Sequence, residues 1–238
     1  QENRGLEYMF IMMNSARYAV GMQGIAIAER AYQKAVQFAK DRVQSRPVDG
    51  SLPGSGPIIH HPDVKRMLMT MRAYTEGCRA MAAVAAAAYD AAHHHPDAEV
   101  RRQNQSFYEF MVPLVKGYST EMSLEVTSLG VQVHGGMGFI EETGAAQYYR
   151  DAKILTIYEG TTAIQANDLV GRKTARDGGQ TAKALAAQVA QTESELAASG
   201  NADALAVAIC ATRKSSATGT DAQKKWVAAA KSANRRIG

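Results

Sequence analysis

The sequence is short of aromatic residues, which make up 7% of its 238 positions, and it holds one tryptophan, Trp226. It has two cysteines and six prolines, and its net charge is only +4. Each shortage excludes something. Few aromatics and no strand-like alternation argue against a sandwich or a barrel. Cys78 and Cys210 lie far apart in apolar surroundings. They read as buried small residues of a reducing, cytoplasmic compartment, not as a disulfide framework. A mildly basic balance without cations interleaved with aromatics does not make a nucleic-acid surface. No apolar run reaches the roughly 18 residues of a membrane span, and no signal peptide is visible. There is no internal repeat. An initiating Met is also missing. The chain opens at Gln1 inside structured-looking sequence and closes on Arg235-Arg236-Ile237-Gly238, which reads as a fragment of a longer protein.

What is present is alanine, methionine and helical periodicity. Residues 8–42 carry apolar and small side chains at helical spacing, among them Ile11, Val20, Ile25, Ala28 and Ala35, with Gly21 and Gly24 allowing a close neighbour. Residues 45–62, SRPVDGSLPGSGPIIHHP, are a loop, because Gly, Pro and Ser dominate them. Pro62 suits the first position of a second helix over about 63–92. The methionines of that helix (Met67, Met69, Met71, Met81) read as adaptable core packing. His93-His94-His95 stands at its end and invites a metal reading. Consecutive helical residues point in different directions, however, and no Cys or carboxylate lies at ligand spacing. A helix terminus is the better account, and no metal site is expected.

A third helix is predicted over about 98–131, with Pro113 as a point where it can kink. It leads into Gln132-Val133-His134-Gly135-Gly136-Met137-Gly138-Phe139. Three glycines in four positions let backbone approach a ligand closely and cradle a phosphate. No strand precedes them, so this is not a dinucleotide-binding fingerprint, and taken alone the cluster reads by default as an ordinary turn. A short helix over about 144–152 follows, then a helix from Thr162 to about Arg172. Residues 176–181 read as a linker, followed by two Ala-rich amphipathic patterns at about 181–199 and 202–232. The expected fold class is all-α. An up-down bundle of long antiparallel helices fills 1–173, and a partial extra helical module fills 174–238.

Between the short helix and Thr162 runs RDAKILTIYEGTTAIQ, residues 150–165. It holds one carboxylate beyond its acidic start, Glu159, between an apolar lead-in (Ile154, Leu155, Ile157, Tyr158) and a Gly-Thr-Thr step. An apolar wall beside a carboxylate raises its proton affinity and a loop gives access, which suits a general base. A surface Glu at a helix start, favoured there by the helix dipole, is the plainer alternative.

Taken together and in this order, QVHGGMGF, YRDAKI and IYEGTTAIQ after three long helices resemble the C-terminal helical domain of the acyl-CoA dehydrogenase family. The resemblance covers about residues 8–172. The Ala-rich tail resembles the additional C-terminal domain of a bacterial subgroup that includes long-chain acyl-CoA and 3-methylmercaptopropanoyl-CoA dehydrogenases. The family's preceding helical domain and middle β-domain are absent, in keeping with the fragment reading.

The resemblance implies FAD-dependent α,β-dehydrogenation of an acyl-CoA thioester, a step of fatty-acid β-oxidation. Glu159 falls on the family's base, which takes the α-proton while the flavin accepts the β-hydride. Hydrogen bonds to the thioester carbonyl, from the flavin ribityl hydroxyl and the base's own N–H, stabilise the developing charge. Gly160 falls where the family's backbone approaches the thioester. Asn14 and Arg17 align with positions that face the CoA substrate. Thr161 and Thr162 fall where the family's loop touches FAD, although the next residue is Ala163 where Gln or Glu is usual. Gln132, Val133, His134, Gly135 and Gly136 match the segment that reaches the FAD of a neighbouring subunit. Arg42 matches the Arg that pairs with the FAD diphosphate. Gln44 replaces the usual Thr or Ser, and the Phe-Gly that normally follows is replaced by Ser45-Arg46 and a longer loop. His61 is a further candidate near the flavin or diphosphate. The implied partners are an acyl-CoA, an electron-transferring flavoprotein as acceptor, and further copies of the chain in a homodimer or tetramer. An acyl-CoA oxidase would share the same base and flavin. The isolated fragment, without the domain covering the other flavin face, also reads as a helical oligomerisation or binding module without catalysis.

Overall fold

The computed structural model describes residues 3–198. The second Ala-rich pattern, with Cys210 and Trp226, lies outside the described residues. Three long helices dominate: α1 (Gly5–Asp41), α2 (Pro62–His94) and α3 (Ala98–His134). Their ends follow from local chemistry. Pro62 occupies the first turn of α2, where a missing N–H costs nothing. Asp97 caps α3 by accepting from the Glu99 N–H at 2.8 Å. Gly135, at φ +59°, ends it. The histidine run is a helix end, as expected: His94 is the last residue of α2 and the His93 ring lies tilted against Tyr89.

Side-chain contacts fix the directions. The Tyr18 hydroxyl donates to the Ala82 carbonyl at 2.9 Å and Arg79 pairs with Glu29 at 2.7 Å, so α1 and α2 are antiparallel. Gly21 lies against Val115, Gly24 against Ser119, and Gly130 against Ala31, so α1 and α3 are parallel. The result is an up-down-up bundle in which chain neighbours are antiparallel. A Cβ at Gly21 would sit 2.7 Å from the Val115 carbonyl oxygen, so the close approach of α1 to α3 depends on glycine there. Two apolar clusters fill the bundle, one around Cys78, Met111, Val112 and Val115, the other around Ala35, Met71 and Val126. The helix α3 also carries a buried polar stripe at helical spacing, Lys116, Ser119, Thr120, Ser123 and Thr127. Three of its hydroxyls bond back to carbonyls of their own helix, Thr120 to Lys116 at 2.8 Å, Ser123 to Thr120 at 2.6 Å and Thr127 to Ser123 at 2.7 Å.

Beyond α3 come α4 (Gly136–Phe139), α5 (Ala145–Leu155) and α6 (Thr162–Asp168). The α5 helix packs on α1 and α3, and α6 packs on α3. Two local features differ from the sequence expectation. The helix that begins at Thr162 widens into a π segment, Leu169–Thr174, where the Thr174 hydroxyl donates to the Leu169 carbonyl at 2.8 Å. Asp168 is buried, and its two oxygens are held by Arg17 and Arg172, each at 2.7 Å. The segment 176–181, read as a linker, forms a tight turn. Gly178 and Gly179 take φ +64° and +81°, and Asp177 accepts from the N–H groups of Gly179 and Thr181 at 3.0 and 2.9 Å. That turn starts α7 (Gln180–Ala198), whose Ala182 and Leu185 pack against the first apolar cluster. Among the described residues there is no strand, only an isolated bridge between Val43 and Pro57 that closes the long loop. None of their helices is long and apolar enough to cross a membrane.

Candidate active site at the Glu159 turn

The site is a backbone reversal between α5 and α6. Helix α5 stops at Leu155, and the Ile157 and Tyr158 N–H groups fold back onto the Ile154 carbonyl at 3.0 and 3.2 Å. Glu159 then takes φ +54° and Gly160 φ +88°. Left-handed backbone at a residue with a side chain costs about 1–3 kcal/mol and persists only where its surroundings hold it. Here two buried side chains do so. The Gln165 amide donates to the Glu159 carbonyl at 3.2 Å and to the Gly160 carbonyl at 3.1 Å. The Lys116 ammonium donates to the Gly160 carbonyl at 2.5 Å. Lys116 is 0% exposed and Gln165 is 2% exposed.

The bonds that fix Glu159 therefore go to its backbone. Its carboxylate makes no hydrogen bond among the described residues and is half-buried. Its N–H makes no backbone hydrogen bond among them either. A free carboxylate and a free N–H on one residue form an acid–base group beside a hydrogen-bond donor, which suits proton removal next to a carbonyl. Gly160 is required twice: by its φ, and because a Cβ would lie 2.8 Å from the Gln165 amide nitrogen. The Thr161 hydroxyl caps α6, accepting from the Ile164 N–H at 3.4 Å. The Thr162 hydroxyl donates to Glu121 at 2.5 Å, and Tyr158 reaches Gln23 on α1.

The remaining predicted residues fall in two places. Asn14 and Arg17 lie on α1. Asn14 is half-buried, whereas Arg17 is 4% exposed and its guanidinium is taken by Asp168, so that it docks α6 onto α1. The others gather at the end of the bundle where α1 and α3 stop. Arg42 caps α1, is exposed, and donates to the Gln44 side chain at 3.3 Å. His61 contacts the Gln44 carbonyl oxygen at 2.9 Å. Gln132, Val133 and His134 form the last turn of α3. His134 is buried, stacks on Phe38 at 4.3 Å and donates to the Gly130 carbonyl oxygen at 2.7 Å. Burial pushes its pKa below the ordinary histidine value, with Lys34 adding to the effect and the Gly130 bond opposing it. Gly135 and Gly136 have open space where a Cβ would lie. From Gln23, beneath the turn, to Arg42 is 19 residues of α1, about 28 Å of helix. The structure thus gathers the predicted residues into two clusters, not one.

Sequence reasoning missed Lys116, Glu121, Gln165 and Asp168. The polar stripe on α3 was a signal for the first: a lysine in register with Ser119, Thr120, Ser123 and Thr127 sits on a face that the flanking apolar residues bury.

The family model described as "Acyl-CoA dehydrogenase, C-terminal domain" matches residues 3–175. The chain is 65% identical over 202 residues to a 3-methylmercaptopropionyl-CoA dehydrogenase of Ruegeria pomeroyi, covering 85% of this chain and 34% of that protein. It is 40% identical over 184 residues to a broad-specificity linear acyl-CoA dehydrogenase of Mycobacterium tuberculosis, covering 74% of this chain and 30% of that one. The solved butyryl-CoA dehydrogenase of Megasphaera elsdenii superposes with a TM-score of 0.55 at 26% identity, covering 72% of this chain and 39% of that chain. The chain spans about a third of the length of the two curated relatives.

Proposed function

Since the chain belongs to the acyl-CoA dehydrogenase family and matches its C-terminal domain, we propose that it supplies the base of an FAD-dependent α,β-dehydrogenation of an acyl-CoA thioester, yielding the trans-2-enoyl-CoA. One observation carries this reading. Glu159 stands on a left-handed turn anchored through its backbone, and both its carboxylate and its N–H are left free of hydrogen bonds among the described residues.

In this reading the Glu159 carboxylate takes the α-proton. The Glu159 N–H donates to the thioester carbonyl oxygen, where charge builds as that proton leaves, and a donor already aimed there needs no rearrangement. Gly160, lacking a Cβ, lets the thioester approach the backbone, and Asn14 lies on the approach. Arg17 acts from beneath through Asp168. FAD, when bound, supplies the acceptor for the β-hydride.

The residues present fit that cofactor. Arg42 is an exposed guanidinium beside Gln44 and His61, suited to a diphosphate. Gly135 and Gly136 offer open backbone. Thr161 and Thr162 sit next to the base. We assign Gln132 to Gly136 to the FAD of a neighbouring copy, which requires at least a homodimer. We also assign residues 174–238 to an additional helical module, electron-transferring flavoprotein as the acceptor, and the cytoplasm as the location.

The test uses the full-length dehydrogenase that carries this chain. Glu159→Gln keeps FAD bound and loses flavin reduction by acyl-CoA. Near-normal reduction in that variant removes Glu159 from the role.

A further inference from the structure

We infer that Lys116 is a positioning residue for the Glu159 turn: its buried ammonium donates to the Gly160 carbonyl oxygen and fixes the backbone from which the Glu159 carboxylate projects. The inference rests on the function proposed above.

A lysine in this position needs a reason. Lys116 is the largest of the fully buried side chains and lies mid-helix, between Val115 and Ser119, the residues that meet Gly21 and Gly24 of α1. An unbranched apolar residue such as Met would fill similar space without a charge. Taking an ammonium out of water is unfavourable, and apolar replacements of buried ions are often neutral or stabilising. Around Lys116 the charged groups are Arg17 from α1, Glu121 on α3 itself, and Glu159. Burial, then Arg17, push the lysine pKa below its ordinary value, while Glu121 and Glu159 pull it back. The fold therefore keeps a charge here against its electrostatic preference.

The geometry shows what the charge is for. The Gly160 oxygen takes two donors, Lys116 Nζ at 2.5 Å and Gln165 Nε2 at 3.1 Å, and Gln165 also holds the Glu159 oxygen at 3.2 Å. Both carbonyls of the strained pair are thus turned inward, towards α3 and α6. These bonds are made where both Glu159 and Gly160 hold positive φ, +54° and +88°. A charge-assisted bond is stronger than a neutral one, and strain persists only where such bonds hold it. Gln165 follows within the same helix start and moves with the turn. Lys116, 44 residues upstream on α3, ties the turn to the centre of the bundle.

The experiment compares wild type, Lys116→Met, Lys116→Gln and Glu159→Gln in the full-length protein. It measures FAD content, melting temperature, kcat and KM with an acyl-CoA substrate, and amide hydrogen exchange of the FAD-free protein. Lys116→Met is expected to keep its FAD and melting temperature. Its kcat should fall on the order of 10²-fold, the scale of a misplacement near 1 Å, with KM within about threefold. Exchange should quicken across residues 156–162 alone. Lys116→Gln, which retains a donor, should recover part of the loss. A kcat within about twofold of wild type, or quicker exchange spread along α3, or FAD loss in step with activity, overturns the inference. If Lys116→Met does not accumulate, exchange in Lys116→Gln decides: quickening confined to 156–162 supports the role and unchanged exchange sinks it. Wild type that fails to reduce its flavin, or an active Glu159→Gln, overturns the parent reading instead.

Discussion

At the scale of single residues, the site is built from positions that most side chains could not occupy. Gly160 has φ +88° and a Cβ would crowd the Gln165 amide at 2.8 Å. Gly160→Ala is expected to cost about 1–3 kcal/mol, readable as a shift of the urea unfolding midpoint at unchanged slope. Asp168 neutralises the buried Arg17, so Asp168→Ala leaves an uncompensated charge, a loss of about 3–5 kcal/mol by the same measurement. His134 gives a pH signature. Its folded pKa lies below the unfolded value of 6.5, so the unfolded chain takes up the proton first. Its contribution is complete above pH 6.5, weakens as pH falls through that value, and levels off below the folded pKa. The melting temperature should therefore drop as pH falls through 6.5, and His134→Leu should flatten part of that drop. A slope unchanged by the substitution would remove His134 as its source.

At the scale of elements, the glycines of α1 set the spacing to α3. Gly21→Val places a branched side chain where even a Cβ meets the Val115 carbonyl oxygen at 2.7 Å. Overpacking of this kind costs about 1–3 kcal/mol, and a thermal melt reads it directly. The three long helices, the loop after Asp41 and the start of α2 at Pro62 were legible because each is encoded locally, by period, by Gly and Pro, or by a cap. The Glu159-Gly160-Thr161-Thr162 step was legible for the same reason: its residues are contiguous. Lys116 and Asp168 were not, since their meaning comes from partners 44 and 151 residues away. Residues 176–181 were read as a linker, from a change of composition around two glycines. In the folded chain Asp177 uses their freedom to cap α7.

At the scale of the whole molecule, the chain carries the proposed base, Glu159, while spanning about a third of its curated relatives' length. Glu159 and the Arg42–Gly135 end lie far apart along the bundle, and a ligand serving both must be long or be shared between copies. The isolated chain is accordingly expected to purify without yellow colour, and the full-length protein to sediment as a dimer or larger. Bound FAD in the isolated chain, or an active monomer, would contradict the shared site. On the proposed role of Glu159, its left-handed backbone sets stability against turnover. Glu159→Gly relaxes that backbone by about 1 kcal/mol while deleting the carboxylate. If Glu159 is the base proposed above, a mutant library of the full-length protein sorted only for heat resistance would enrich inactive variants at this codon, and thermostabilised descendants have to be screened for turnover as well as for survival.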